Sequence, residues 1–208
     1  MYNLFLKDLR LQKFMILFYI GIICLYQINL TNLLFTVSVI GCMYMFNAHF
    51  NDEKDNNHKF INSLPYSRKT IILSKYAGTL IFTFFATVFT LVFQLGVDAI
   101  IPHFGIKIGT LKEIGASFVI IMVLTSFYLP FFYRFTNKYL LAGFSIVFLV
   151  FLFTWKKIII FMDLNKYLLK INTHFSTTEL SVFIFIITLV LFISSYFLTV
   201  RIYERTDF

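Results

Sequence analysis

Six stretches of this chain run for 16 to 22 residues without one Asp, Glu, Lys or Arg: 14–30, 33–48, 76–97, 114–133, 139–155 and 180–200. At about 1.5 Å per residue, a helix of this length crosses or nearly crosses a hydrocarbon core of about 30 Å. Spanning β-strands would be nearer ten residues long with polar side chains at alternate positions, and none of these runs alternates. Composition leaves little room for a soluble globule: 59% of the 208 residues are hydrophobic, 29 are Phe, 13% are charged and the mean hydropathy is +0.82. That is too little polar surface to clothe a water-soluble domain. The expectation is an all-α integral membrane protein with six transmembrane helices forming a single domain over 1–208.

Basic residues orient such a chain. With both termini in the cytoplasm, the inside segments hold Lys7, Arg10, Lys13, Lys54, Lys59, Arg68, Lys69, Lys75, Arg134, Lys138, Arg201 and Arg205. The outside segments then hold only Lys107, Lys112, Lys156, Lys157, Lys166 and Lys170, so the positive-inside rule selects this topology. The net charge of +8 follows from that bias and suits anionic head groups; it predicts no nucleic-acid partner. Residues 1–13 carry Leu4, Phe5, Leu9 and Leu11 among Lys7, Arg10 and Lys13, a composition suited to an interfacial elbow helix or else to a frayed tail. No small-x-small cleavage site follows the first apolar run, so it is read as a retained span.

The insert between the second and third runs is the most charged part of the chain. Residues 50–76 contain eight of the 28 charged side chains. The pattern predicts a short amphipathic cytoplasmic helix from Asp52 to about Leu64, a stop at Pro65, and Ser67 as the N-cap of the next helix. On such a helix Phe60, Ile61 and Leu64 fall within one turn and can enter a groove, while Asp52, Glu53 and Asp55 meet the positive end of the helix dipole. The plainer reading is a solvated connector whose charges keep it out of the bilayer.

Chemistry-bearing patterns are otherwise sparse. Cys24 and Cys42 lie in the first two spans without ligand spacing and read as packing residues, and the four histidines form no metal motif. Polar residues in the spans, among them Gln94, Ser126 and Ser145, read as isolated. No nucleophile or carboxylate pair stands out as catalytic, and no metal is predicted. Gln94 and Asp98, toward the outer end of the third span, are the polar candidates for a pathway, with Asp98 nearer the interface; Pro130 should kink the fourth span. The eight glycines never give the GxxxxGK loop that cradles phosphates, so ATP-driven work would need a separate subunit. Residues 156–179 are too apolar for a solvated loop and too interrupted by Lys, Asp and Asn for a span, which fits an outer re-entrant or interfacial segment.

The insert resembles a known family. Its acidic opening Asp52-Glu53-Lys54-Asp55, the Phe60-Ile61 pair, the run Ser63-Leu64-Pro65-Tyr66-Ser67-Arg68-Lys69 and the following Leu73-Ser74-Lys75-Tyr76 are similar to the small permeases of the ABC-2 (type II exporter) family. The six-run layout agrees. The resemblance implies a multi-pass permease of a bacterial plasma membrane, paired with a second permease, like or unlike, and non-enzymatic itself. ATP and Mg would belong to an ABC ATPase subunit, onto which segment 51–69 presses as a coupling helix, with Asp52, Glu53, Lys54, Asp55, His58, Lys59, Phe60, Ile61, Ser63, Leu64 and Pro65 as its contact residues. It also implies that the outer segment caps the exit, making Phe161, Tyr167 and Phe175 candidate gate residues; the plain alternative is interfacial anchoring. Amphipathic or hydrophobic cargo leaving the cell, foremost membrane-active peptides, fits the aromatic spans. Two other classes stay open: a non-transporting immunity or structural membrane protein, and a secondary transporter, which usually shows repeated halves that are not evident here.

Overall fold

The computed structural model describes residues 12–29, 31–53, 66–101, 105–134, 143 and 177–205. Among them the regular structure is entirely helical: α1 (Lys13–Ile28), α2 (Leu33–Glu53), α3 (Arg68–Ile100), α4 (Leu111–Arg134) and α5 (Thr177–Arg205). Four of these, α2 to α5, are long and apolar enough to cross a membrane. At 16 residues α1 is about 24 Å long, short of a full hydrocarbon core. The expected fifth span at 139–155 apart from residue 143, the elbow at 1–13 apart from its last residues, and the outer segment at 156–179 apart from the start of α5 lie outside the described residues.

Local signals set the helix ends. Asn29 closes α1 by donating from its side-chain amide to the Leu25 carbonyl at 2.8 Å, and Thr31 Oγ1 donates to Tyr26 O at 2.8 Å, satisfying carbonyls that a helix end leaves without partners. A short connection then returns the chain as α2. Ser67 is the N-cap of α3, as its sequence position predicts, with an extended backbone and its hydroxyl accepting from the Thr70 N–H at 3.3 Å. The 33 residues of α3 make a helix of about 50 Å, so its uncharged run 76–97 fills the membrane and its basic first turns stand beyond the apolar core.

Packing between helices rests on aromatic side chains and small hydroxyls. Tyr44 of α2 stacks on Phe82 of α3 at 4.0 Å between ring centroids, and Tyr19 of α1 meets the same ring edge-on at 5.5 Å. Thr79, Thr83, Thr87 and Thr90 of α3 are buried and bond back to carbonyls one turn earlier, which hides their hydroxyls and leaves a slim surface for neighbouring helices. A second aromatic core joins Met45, Ile72, Tyr76, Tyr128, Phe132 and Tyr203 from α2, α3, α4 and α5. Among the described helices the most extensive packing is that of α4 against α5. Apolar side chains such as Phe84, Phe85, Phe183 and Phe197 stay exposed, as a lipid-facing surface requires.

Candidate functional site

The charged end of the bundle is where α2 finishes its described course, α3 begins, and α4 and α5 end. Arg68 fixes this meeting: its Nη1 donates to the carbonyls of Tyr203 at 3.1 Å and Glu204 at 2.8 Å, the last turn of α5, and its guanidinium lies 5.9 Å from the Tyr203 ring centroid. A cation on C-terminal carbonyls both satisfies acceptors and complements the helix dipole.

Beside it, Asp52 of α2 is ion-paired with Lys75 of α3, and both side chains are almost wholly buried. This corrects the expected local structure, in which Asp52 and Glu53 open a separate amphipathic helix. They occupy the last described turn of α2, which continues without interruption from Leu33 to Glu53, and the Asp52 carboxylate pairs with Lys75. His49 is buried one turn earlier, with ring centroids 4.3 Å from Phe132, 5.3 Å from Tyr128 and 5.5 Å from Tyr133. The space enclosed by Tyr44, His49, Ser74, Lys75 and Thr79 is about 10 Å³, at the threshold for one water. The remaining coupling candidates Lys54, Asp55, His58, Lys59, Phe60, Ile61, Ser63, Leu64 and Pro65 lie outside the described residues, as do the gate candidates Phe161, Tyr167 and Phe175.

One turn deeper, a hydroxyl network joins three helices. Pro130 sits inside α4 and has no N–H, so the carbonyl of Ser126, four residues earlier, lacks its ordinary helical partner. Ser195 of α5 supplies one, its Oγ donating to Ser126 O at 2.6 Å. The Tyr76 hydroxyl of α3 lies 2.7 Å from that Oγ and 2.9 Å from Thr199 Oγ1. Pro130 therefore specifies a link between α4 and α5 in addition to any bend.

At the opposite end Gln94 is fully buried and is not isolated, contrary to expectation. Its Nε2 donates to Gln27 Oε1 of α1 at 2.9 Å, and its Oε1 accepts from the Gly109 N–H, in the segment before α4, at 3.0 Å. Gln27 Nε2 in turn donates to Thr36 Oγ1 of α2 at 3.0 Å. Asp98, one turn beyond Gln94, is exposed. Of the two pathway candidates, Gln94 is thus hydrogen-bonded to α1 and to the segment before α4, while Asp98 is exposed.

Such an arrangement fixes helices at both ends and offers no assembled nucleophile or acid–base pair among the described residues. Between α1, α2 and α3 it leaves an apolar groove of about 360 Å³, lined by Tyr19, Ile23, Ile40, Phe82 and Phe89 among others. Comparison with known families decides the class, because the model of the ABC-2 family transporter protein matches residues 3–204, almost the whole chain. The chain belongs to the ABC-2 transporter family. Searches among curated proteins and among solved structures give no match. ABC-2 membership, with the apolar helices, makes this a multi-pass membrane protein and the permease component of an ABC transporter, whose partner is an ABC ATPase. Ser195, Thr199 and Gln27 escaped the sequence reading, which named Tyr76 only for the resemblance of the insert; the proline that frees a carbonyl in α4 was the signal that something must meet it.

Proposed function

We propose that this ABC-2 permease exports amphipathic or hydrophobic cargo, foremost short membrane-active peptides, by a movement imposed through segment 51–69 from a docked ATPase. The observation that carries the coupling step is the buried Asp52–Lys75 pair. It ties the helix that leads into the insert to the helix that leaves it, so a push on the insert is delivered to α2 and α3 together. Arg68 passes the same displacement to the end of α5 through its two carbonyl contacts. In this reading the chain has six spans and cytoplasmic termini, works as a dimer with a like or unlike permease, and hydrolyses nothing itself; ATP and Mg bind the partner.

The cargo class rests on the apolar groove between α1, α2 and α3, on the scarcity of charge in the spans, and on the likeness of the chain, within its family, to the permease subunits of the staphylococcal phenol-soluble modulin exporter. Phe161, Tyr167 and Phe175 remain the proposed outer gate.

The docking surface is tested with Phe60→Ala combined with Leu64→Ala, which removes about 2 to 4 kcal/mol of apolar burial at the ATPase contact. The double variant is expected to lose most co-purification with its ATPase while its own yield holds. Undiminished recovery of the ATPase would remove the coupling role of the insert. Secretion of the peptides and cell tolerance to them should both fall when the chain is deleted, and normal secretion and tolerance in the deletion would remove the peptide cargo.

A further inference from the structure

Lys75 and Tyr76 are consecutive on α3, about 100° apart around the helix, and so reach different neighbours. Lys75 pairs with Asp52 of α2, while the Tyr76 hydroxyl lies 2.7 Å from Ser195 Oγ and 2.9 Å from Thr199 Oγ1, which stand one turn apart on the same face of α5. A single turn of α3 is thereby tied to α2 on one side and to α5 on the other. The tie to α5 has a direction. Ser195 carries one hydroxyl proton and donates it to Ser126 O at 2.6 Å, so Tyr76 is the donor to Ser195 Oγ. The chain of donation therefore runs from α3 through α5 and ends on α4, at the carbonyl that Pro130 deprives of its helical partner. Tyr76, Ser195 and Ser126 are all buried. Arg68 meets α5 at the backbone of its last turn, whereas Tyr76 meets it about two turns deeper, where α5 is itself bonded to α4.

At Ser126 the backbone of α4 is held by a side chain of α5 in place of an N–H of its own helix, so the course of α4 past Pro130 depends on where Ser195 stands, and Ser195 is held in turn by Tyr76. We propose that Tyr76 is a positioning residue for the motion of the permease, transmitting the displacement of α3 through Ser195 to α4 at the carbonyl freed by Pro130. This rests on the reading that the docked ATPase displaces α2 and α3 together. The aromatic ring alone does not supply the link: Tyr76→Phe keeps the edge contacts with Phe192 at 5.0 Å and Tyr196 at 5.7 Å and removes only the hydroxyl.

The test uses the complex of the full chain with its ABC ATPase in phospholipid vesicles, with Cys24 and Cys42 replaced and one spin label at Phe84→Cys on α3 or Phe127→Cys on α4, both exposed positions. Spectra are compared without nucleotide and with the ATPase trapped by ATP and vanadate. In the otherwise wild-type complex both labels are expected to respond; in Tyr76→Phe the α3 response should persist while the α4 response falls at least about twofold. A full α4 response in Tyr76→Phe, or a silent α4 label beside a responding α3 label without that substitution, overturns this inference and leaves the coupling reading standing. A silent α3 label overturns the coupling reading and this inference with it. If Tyr76→Phe does not fold, Ser195→Ala takes its place with the same criteria. The role of the proline is read separately from melting of the chain alone: Ser195→Ala should lower the midpoint by about 3 °C or more, and by less than half as much in a Pro130→Ala background, where residue 130 again offers its N–H to Ser126 O. Equal losses in the two backgrounds overturn the inference, because the carbonyl on which the link ends would then not be the one that Pro130 frees.

Discussion

Asp52 and Lys75 show how much a single pairing can decide in an apolar bundle. A lone buried ammonium or carboxylate at this depth would be costly, whereas the pair meets its own charge and holds α2 against α3. Removing one partner leaves the other buried without compensation, so Lys75→Met or Asp52→Leu alone should lower stability by about 3 to 5 kcal/mol. The double variant, with two apolar side chains of similar bulk, should recover most of that loss. Thermal unfolding in detergent of both singles and the double gives the coupling directly, and singles that melt like wild type would show that the pair contributes no stability. The double variant should be folded yet poor in transport, because apolar contacts slide where an ion pair does not.

Helices α2 and α4 meet the connecting segment through contacts that only small residues permit. A Cβ placed on Gly109 would lie 2.8 Å from Leu33 Cβ and 2.3 Å from its Cδ1, and Leu33 is wholly buried at the start of α2. The Cβ of Leu33 cannot rotate away, so relief requires the backbone of the segment before α4 to shift, which also strains the bond from the Gly109 N–H to Gln94. Gly109→Ala should destabilise by about 1 to 3 kcal/mol. Gly115, within the first turns of α4 with nothing within 4 Å of its added Cβ, gives the contrast: Gly115→Ala should be neutral or stabilise by up to about 1 kcal/mol through helix propensity. Melting temperatures of the two variants check both signs, and an equal response from the two would show that close packing against Leu33 is not what fixes Gly109.

For the whole molecule the structure gathers Asp52, Arg68, Lys75, Arg134, Arg201 and Arg205 at one end, with Gln94 and Gly109 at the other. The charge asymmetry that orients the chain in sequence is thus an asymmetry of the folded bundle. With twelve Lys and Arg on the inside segments and six on the outside, the charged end should face the cytoplasm. A cysteine at Asn57 is expected to react with a membrane-impermeant maleimide only from the cytoplasmic side, and one at Asn172 only from outside, in a background with Cys24 and Cys42 replaced. The reverse pattern would turn the bundle over and place the insert where no ATPase can reach it.

The amino-acid sequence alone determined that this chain is a helical membrane protein, because an uncharged run of some twenty residues has few other stable fates and local chemistry reports it directly. It also placed the start of α3, since a Ser hydroxyl caps N–H groups only three residues away. The ABC-2 resemblance, carried by the 50–76 insert, was legible for the same reason: its residues are contiguous. What the tertiary structure alone decided is which polar groups within the helices meet. Gln94 finds Gln27 across 67 positions and Tyr76 finds Ser195 across 119, separations at which no local periodicity carries information. Asp52 misled for this reason, being acidic and next to a charged insert, until Lys75 of the neighbouring helix drew it into α2. Helix formation is settled by neighbours along the chain, and the pairing of buried polar groups by neighbours across the bundle, where leaving them unmet costs most.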